Sequence, residues 1–329
     1  MQKILLFFML IVSFCWMLLP QILYLFLWVV VRIFQYHLPW KPFAWASLFL
    51  IVGWWGIYAY GHYIGRFCFQ VKPVTFSHAL VPKAFNGYRI VQISDLHLQG
   101  WAGEKEKLQK AVERINYLQP DLIVFTGDLV SFDFHELDPF VDVLQKLKAT
   151  DGVVSVMGNH DYSPYHRGLS SGERAKKVDS LLVVQRDKLG WNLLLNSNVS
   201  IRRGTDSIAI LGVENQSCGV HQIVRRGNLK QAMEGTDGMF RILLSHDPSH
   251  WREEVLEKTD IPLMLSGHTH AMQIRIFGFT PSRWAYPECA GRYDEGGQTL
   301  YVNIGLGGTL VPMRIGANPE ITEITLKSK

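Results

Sequence analysis

No aspartate or glutamate occurs in the first 94 residues of this 329-residue chain, while 29 follow. The basic residues of segment 1–72, Lys3, Arg32, Lys41, Arg66 and Lys72, are therefore unopposed and account for the formal charge of +4. The rest holds 28 basic against 29 acidic residues, so it has no positive excess with which to bind nucleic acid. Cysteine is sparse as well. Cys15, Cys68, Cys218 and Cys289 have neither metal nor redox spacing and read as buried free thiols. Low-complexity tracts and internal repeats are absent.

Where charge is missing, apolar residues are continuous. Residues 4–31, ILLFFMLIVSFCWMLLPQILYLFLWVVV, carry no charged side chain, and a second apolar stretch runs from Phe43 to about Ile64. A spanning helix needs about 20 mostly apolar residues. Residues 1–72 thus read as a membrane anchor with two transmembrane helices, or three if Pro20 breaks the first. Trp40, Trp54, Trp55 and Tyr58 suit an interfacial aromatic belt. No A-x-A-like site follows the first run, which argues against a cleaved signal peptide. With two spans, Lys3, Arg66, Lys72, Lys83 and Arg89 flank one side and Arg32 and Lys41 the other. That asymmetry favours a cytoplasmic C-terminal domain, and a third span would reverse it.

Residues 73–329 have the composition of a soluble domain. Apolar runs at 88–94, 121–127 and 152–158 read as buried strands, alternating with helical patterns at 104–118, 136–149 and near Gly172–Leu189. Such alternation means βαβ units and a covered parallel sheet. The second half is richer in strand: 192–201 and 207–215 around the turn RRGTD, then 241–247, 262–268, 299–307 and 320–326, with a short helix near Leu229–Met233. This predicts a second sheet packed on the first, with helices outside both.

Five of these strands end alike, in YRIVQISDLH, DLIVFTGD, GVVSVMGNHD, RILLSHD and PLMLSGHTH. Each apolar run stops at Asp, Asn or His. In an open α/β sheet the carboxyl ends of the strands share one rim, where ligands bind. Taken singly, Asp95 or Asp128 suits a turn or helix cap, and His246 an ordinary buried histidine. Five such endings at one predicted rim point instead to a metal centre. Mixed oxygen and imidazole donors suit Mn, Fe or Zn better than Mg or Ca. Gly127, Gly158 and Gly267 precede donor residues and allow tight turns there.

The ordered set SDLH, TGD, GNHD, SHDP and SGHTH resembles the five motif blocks of the calcineurin-like metallophosphoesterases, over residues 88 to about 327. The chain is similar in particular to the membrane-anchored bacterial branch, which includes enzymes cleaving the pyrophosphate of a UDP-diacylglucosamine. The resemblance implies an α/β fold, a four-layer αββα sandwich of two mixed sheets, on an anchor in the bacterial inner membrane. It also implies that Asp95, His97 and His270 bind one divalent ion, that Asn159, His246 and His268 bind a second, and that Asp128 bridges them. His160 would act at the scissile phosphate, and Asp161 would hold the His160 imidazole. The activity implied is a phosphodiesterase or pyrophosphatase using metal-activated hydroxide on a small-molecule or lipid-linked phosphate ester. A metal-binding membrane scaffold or sensor without turnover is the alternative. Arg283, Arg292 and Arg314 lie in the C-terminal loops, as phosphate clamps or as surface charge. Residues 276–297 form an irregular insertion after SGHTH, in which Trp284 and Tyr286 are candidate pocket residues.

Overall fold

The computed structural model describes residues 2–166, 168–218 and 224–329. Two long helices come first, α1 (Gln2–Ile33) and α2 (Lys41–Tyr63). They form a hairpin in which Ser47 Oγ donates to Met17 O at 2.8 Å and accepts from Gln21 Nε2 at 3.0 Å. Polar pairs of this kind satisfy the few hydrogen-bonding side chains in an apolar hairpin. Helix α1 continues through Pro20, so the chain has no break there to make a third span. Segments Leu6–Ile33 and Lys41–Phe67 are long and apolar enough to cross a membrane, and only 11% and 6% of their apolar windows are buried. They are not core helices.

The rest is built from two six-stranded mixed sheets. The first takes β1 (Gln70–His78), β2 (Arg89–Ile93), β3 (Leu122–Phe125), β4 (Val153–Ser155), β5 (Asn192–Leu193) and β12 (Glu320–Ser328), in the order β1-β12-β2-β3-β4-β5. The second takes β6 (Ser197–Arg203), β7 (Asp206–Gly212), β8 (Phe240–Leu244), β9 (Leu263–Ser266), β10 (Gly291–Glu295) and β11 (Gln298–Val302), in the order β10-β11-β9-β8-β7-β6. Strands β2 to β5 run parallel, as do β7, β8, β9 and β11.

Alternation along each strand sorts its side chains into layers. Ile90, Leu122, Val124 and Val154 of the first sheet meet Ile208, Ile210, Ile242, Leu244 and Leu265 of the second in one buried cluster. The intervening residues face outwards. Val91, Ile93, Ile123 and Phe125 pack with α3 (Lys105–Tyr117), α4 (Val141–Leu144) and α5 (Ser171–Val183). Ala209, Leu211, Leu243 and Met264 pack with α6 (Leu229–Met233) and the turn bearing Trp251 and Val255. The four layers are those expected.

Four local expectations differ. The run 192–201 is not one strand: β5 closes the first sheet and β6 opens the second, with the chain crossing between them at Asn196, whose φ is 52°. β1 begins at Gln70, where it pairs with Glu320, ahead of the expected start of the soluble domain. The irregular insertion ends in β10, which pairs with β11 as a hairpin. All four cysteines are free, but only Cys289 is buried, Cys15 being on the outside of α1.

Candidate metal centre

The carboxyl ends of β2, β3, β4, β8 and β9 meet at one rim, which brings six of the seven expected ligand residues into two groups. Asp95, His97 and His270 form one group and Asp128, His246 and His268 another, with the donor atoms of each within 4.8 Å of one another, and His160 meets His97 and Asp128 at the same spacing. In the first group His97 Nε2 is 3.0 Å from His270 Nε2, which is 3.2 Å from Asp95 Oδ1. In the second, His246 Nε2 is 3.2 Å from His268 Nδ1 and 3.1 Å from Asp128 Oδ2. Asp128 Oδ2 is also 3.5 Å from His97 Nε2, so this carboxylate touches both groups.

The backbone is strained where these side chains converge. Asp95, His97, Asp128, His268 and His270 have φ of 53°, 47°, 59°, 74° and 50°. The left-handed region costs a non-glycine residue about 1–2 kcal/mol. Strain over-determined by its surroundings is a mark of functional sites. Two neighbours must be glycine for the turns to close. A Cβ on Gly158 would collide with Asp128 Oδ1, and one on Gly267 with Asp95 Oδ2. Leu96, between Asp95 and His97, turns the other way into the core.

The electrostatics divide the donors: burial opposes a charge on His246, but the Asp128 charge outweighs it and raises that ring to about 10, and burial raises Asp95 to about 6, while the other three histidines of the two groups shift the other way. Burial lowers the basicity of His97, to about 3, and of His268 and His270, which leaves their ring lone pairs unprotonated. Burial opposes ionisation of Asp128, but His246 and His160 outweigh it and hold the carboxyl well below its ordinary range. Burial and the Asp128 charge raise Asp161 to about 7.

Residues 88–272 match the calcineurin-like phosphoesterase family. The chain belongs to this family. It is 33% identical over 282 residues to the uncharacterized metallophosphoesterase YkuE of Bacillus subtilis, covering 83% of this chain and 91% of that one. A transmembrane protein with a metallophosphoesterase domain from Danio rerio is 32% identical over 257 residues, covering 75% of this chain and 55% of that one. The uncharacterized metallophosphoesterase Cj0846 of Campylobacter jejuni is 29% identical over 251 residues, covering 76% and 62%. The chain thus spans about half the length of the Danio rerio relative.

As a calcineurin-like phosphoesterase the protein is a metal-dependent phosphoester hydrolase, and its donor set fits two divalent ions. Two pairs of imidazole nitrogens converge at 3.0 and 3.2 Å, and each pair also faces a carboxylate oxygen, of Asp95 at 3.2 Å or Asp128 at 3.1 Å, so lone pairs crowd together where a cation would satisfy them. Asn159 Oδ1 is buried without a hydrogen-bond partner among the described residues. A buried carbonyl oxygen in that state is available to a cation.

Asp161 does not hold His160. Its carboxylate accepts from the backbone N–H groups of Gly158, Asp128, Leu129 and Val130, at 2.9, 3.0, 2.9 and 3.2 Å. The tight turn after Asn159 directs adjacent side chains apart, so Asp161 fastens the TGD turn to the GNHD turn from behind. His160 is held instead by Ser131 O, which accepts from Nδ1 at 2.8 Å, while its backbone N–H donates to Asp128 Oδ1 at 2.8 Å.

The three arginines part company. Arg283 and Arg292 are exposed, and Arg292 pairs with Asp294. Arg314 is buried and donates to the carbonyls of Ile304, Gly305, Gly307 and Ala317, closing the loop beside His270. It is a staple and has no free donor face for a phosphate.

Two tyrosines complete the centre. Tyr286 Oη is 2.7 Å from His268 Nε2, and Tyr165 Oη accepts from Asn159 Nδ2 at 3.0 Å. Tyr165 had no signal in the sequence, since it lies in a polar loop outside every motif block. By fixing the amide, Tyr165 leaves Oδ1 as the free donor. Tyr165→Phe is expected to weaken binding of one ion by about 10- to 100-fold, read as a shift in the metal titration of the full chain.

Proposed function

We propose that this chain is a membrane-anchored dinuclear phosphodiesterase or pyrophosphatase. Asp95, His97 and His270 hold one ion, Asn159, His246 and His268 the other, and Asp128 both. The observation that carries the ligand set is the contact of Asp128 Oδ2 with His97 on one side and His246 on the other. Mn, Fe or Zn suits the mixed donors better than Mg. The ions supply Lewis acidity and an activated water for attack at phosphorus.

The residues of the chain supply orientation and a proton. With Nδ1 donating to Ser131 O, His160 keeps Nε2 free, and as an imidazolium it donates from Nε2 to a phosphoryl or leaving oxygen. Thr126 O accepts from His246 Nδ1 at 2.7 Å and fixes the tautomer that leaves Nε2 free for a cation. Asp161 has a structural role, since its hydrogen bonds are to backbone alone. Apolar helices α1 and α2 support an anchor with two spans, and their flanking lysines and arginines support a cytoplasmic catalytic domain. An anchor concentrates the enzyme on substrates in the same plane, which supports a membrane-associated ester.

The test is hydrolysis of bis(4-nitrophenyl) phosphate against 4-nitrophenyl phosphate by metal-stripped full chain, with Mn, Fe, Zn or Mg added back. Metal-dependent cleavage preferring the diester supports the proposal, and preference for the monoester would overturn the phosphodiesterase assignment. His160→Gln is expected to lower kcat by about 10²- to 10⁴-fold while both ions stay bound. Loss of an ion in that variant would make His160 a ligand instead.

A further inference from the structure

A cavity of about 820 Å³ opens beside the metal centre on the His160 side, a size suited to a small-molecule ligand. Phe132, Pro164, Tyr165, Leu310 and Pro312 give it apolar walls, and His160 and Ser131 line it as well. Its described lining includes no carboxylate, ammonium or guanidinium group. Leu310 is 83% exposed, an apolar side chain left in the open at the edge of an active site.

One wall of the cavity adjoins the foot of the second apolar helix. A second cleft shares Gly100, Gly308 and Pro312 with it and reaches Arg66 and Phe67 at the foot of α2. Helix α2 is fastened to the same wall. Arg314 N donates to Gly61 O at 3.1 Å, and His62 Nδ1 donates to Pro312 O at 2.8 Å. Gly65 packs so closely that a Cβ there would collide with Arg314 O. The loop carrying Leu310 therefore joins the end of the second apolar helix to the rim that holds His160.

We propose that this cavity holds the hydrocarbon chain of a lipid phosphate ester, which enters at the foot of α2 and presents its phosphate at His160 and the metal centre. The inference rests on the reading of the chain as a membrane-anchored phosphoesterase and adds the class of substrate. Gln99, Ser131 and Thr309 give the lining a few polar groups beside His160, but most of its surface is apolar, which suits a methylene chain that needs only area better than a nucleobase or sugar that needs polar partners along its edges.

The experiment has two readouts on full-length protein in lipid nanodiscs. In the first, the metal-free chain is photolabelled with decyl phosphate bearing a terminal diazirine. Adducts on segments 99–100 and 308–312, reduced several-fold in Leu310→Asp, are expected. Labelling confined to α1 and α2, or unchanged in Leu310→Asp, would overturn the proposal. In the second, the Mn-loaded chain is given 4-nitrophenyl esters of ethyl and hexyl phosphate. Each buried methylene is worth about fourfold, so kcat/KM should rise at least tenfold from ethyl to hexyl, and this ratio should collapse in Leu310→Asp. Equal kcat/KM for both esters would also overturn it. No turnover of either ester would count against the phosphodiesterase reading, and the labelling pattern would still decide where the chain binds.

Discussion

Asp128→Asn lowers metal-dependent hydrolysis by about a thousandfold or more, because an ion contributes several kcal/mol to stabilising charge in the transition state and each 1.36 kcal/mol is tenfold in rate. The size of the effect follows from position. Asp128 sets one carboxylate oxygen against ring nitrogens of both groups, His97 at 3.5 Å and His246 at 3.1 Å, whereas Asp95 reaches the second group only through the backbone N–H of His268. Asparagine keeps the shape and an oxygen for the His160 N–H, so the fold survives. What goes is a buried charge that the surrounding imidazoles keep ionised. Metal content and kcat/KM of the variant, measured beside its melting temperature, check this. Full activity with both ions bound would remove Asp128 from the centre.

Asp161→Ala acts differently, by unfolding. Four buried backbone donors depend on this carboxylate. Each one left unsatisfied costs about 1–3 kcal/mol, so the sum is on the order of 4 kcal/mol or more. Against a typical stability of about 5–15 kcal/mol, most of the detergent-solubilised full chain is expected to aggregate or to melt about 10 °C lower. Asp161→Asn retains oxygen acceptance and should fall between. If Asp161 instead oriented His160, alanine would lower kcat and leave melting unchanged. Thermal melts of both variants separate the two roles.

How much of this was legible depends on which physical signal each feature leaves. Strands β2, β3, β4, β8 and β9 were visible because buried parallel strands are continuous apolar runs. Their endings were visible because donors stand at the last turn of each run. The two-sheet, four-layer arrangement followed from helices interleaved with the first strands and absent between several of the later ones. Asn196 hid the division of 192–201 between two sheets, since a single left-handed residue leaves no break in the apolar pattern.

The chemistry around the donors was less legible. Asp161 follows His160 in sequence, and adjacency suggested a pair, but the direction of a side chain in a tight turn is a property of the backbone. The left-handed φ of Asp95, His97, Asp128, His268 and His270 is likewise invisible in residue names. Tyr286 was a candidate from its aromatic insertion, but Tyr165 reaches the centre from a polar loop, and the buried role of Arg314 depends on carbonyls from Ile304 to Ala317. Contacts made through irregular backbone have no period to read.

The central claim is a centre for two ions at the rim, and the most direct measurement is metal stoichiometry by mass spectrometry of the purified full chain after loading with Mn. Two ions per chain are predicted, falling to one or none in both His97→Ala and His246→Ala. One ion in the native chain, or two retained in either variant, would contradict the account.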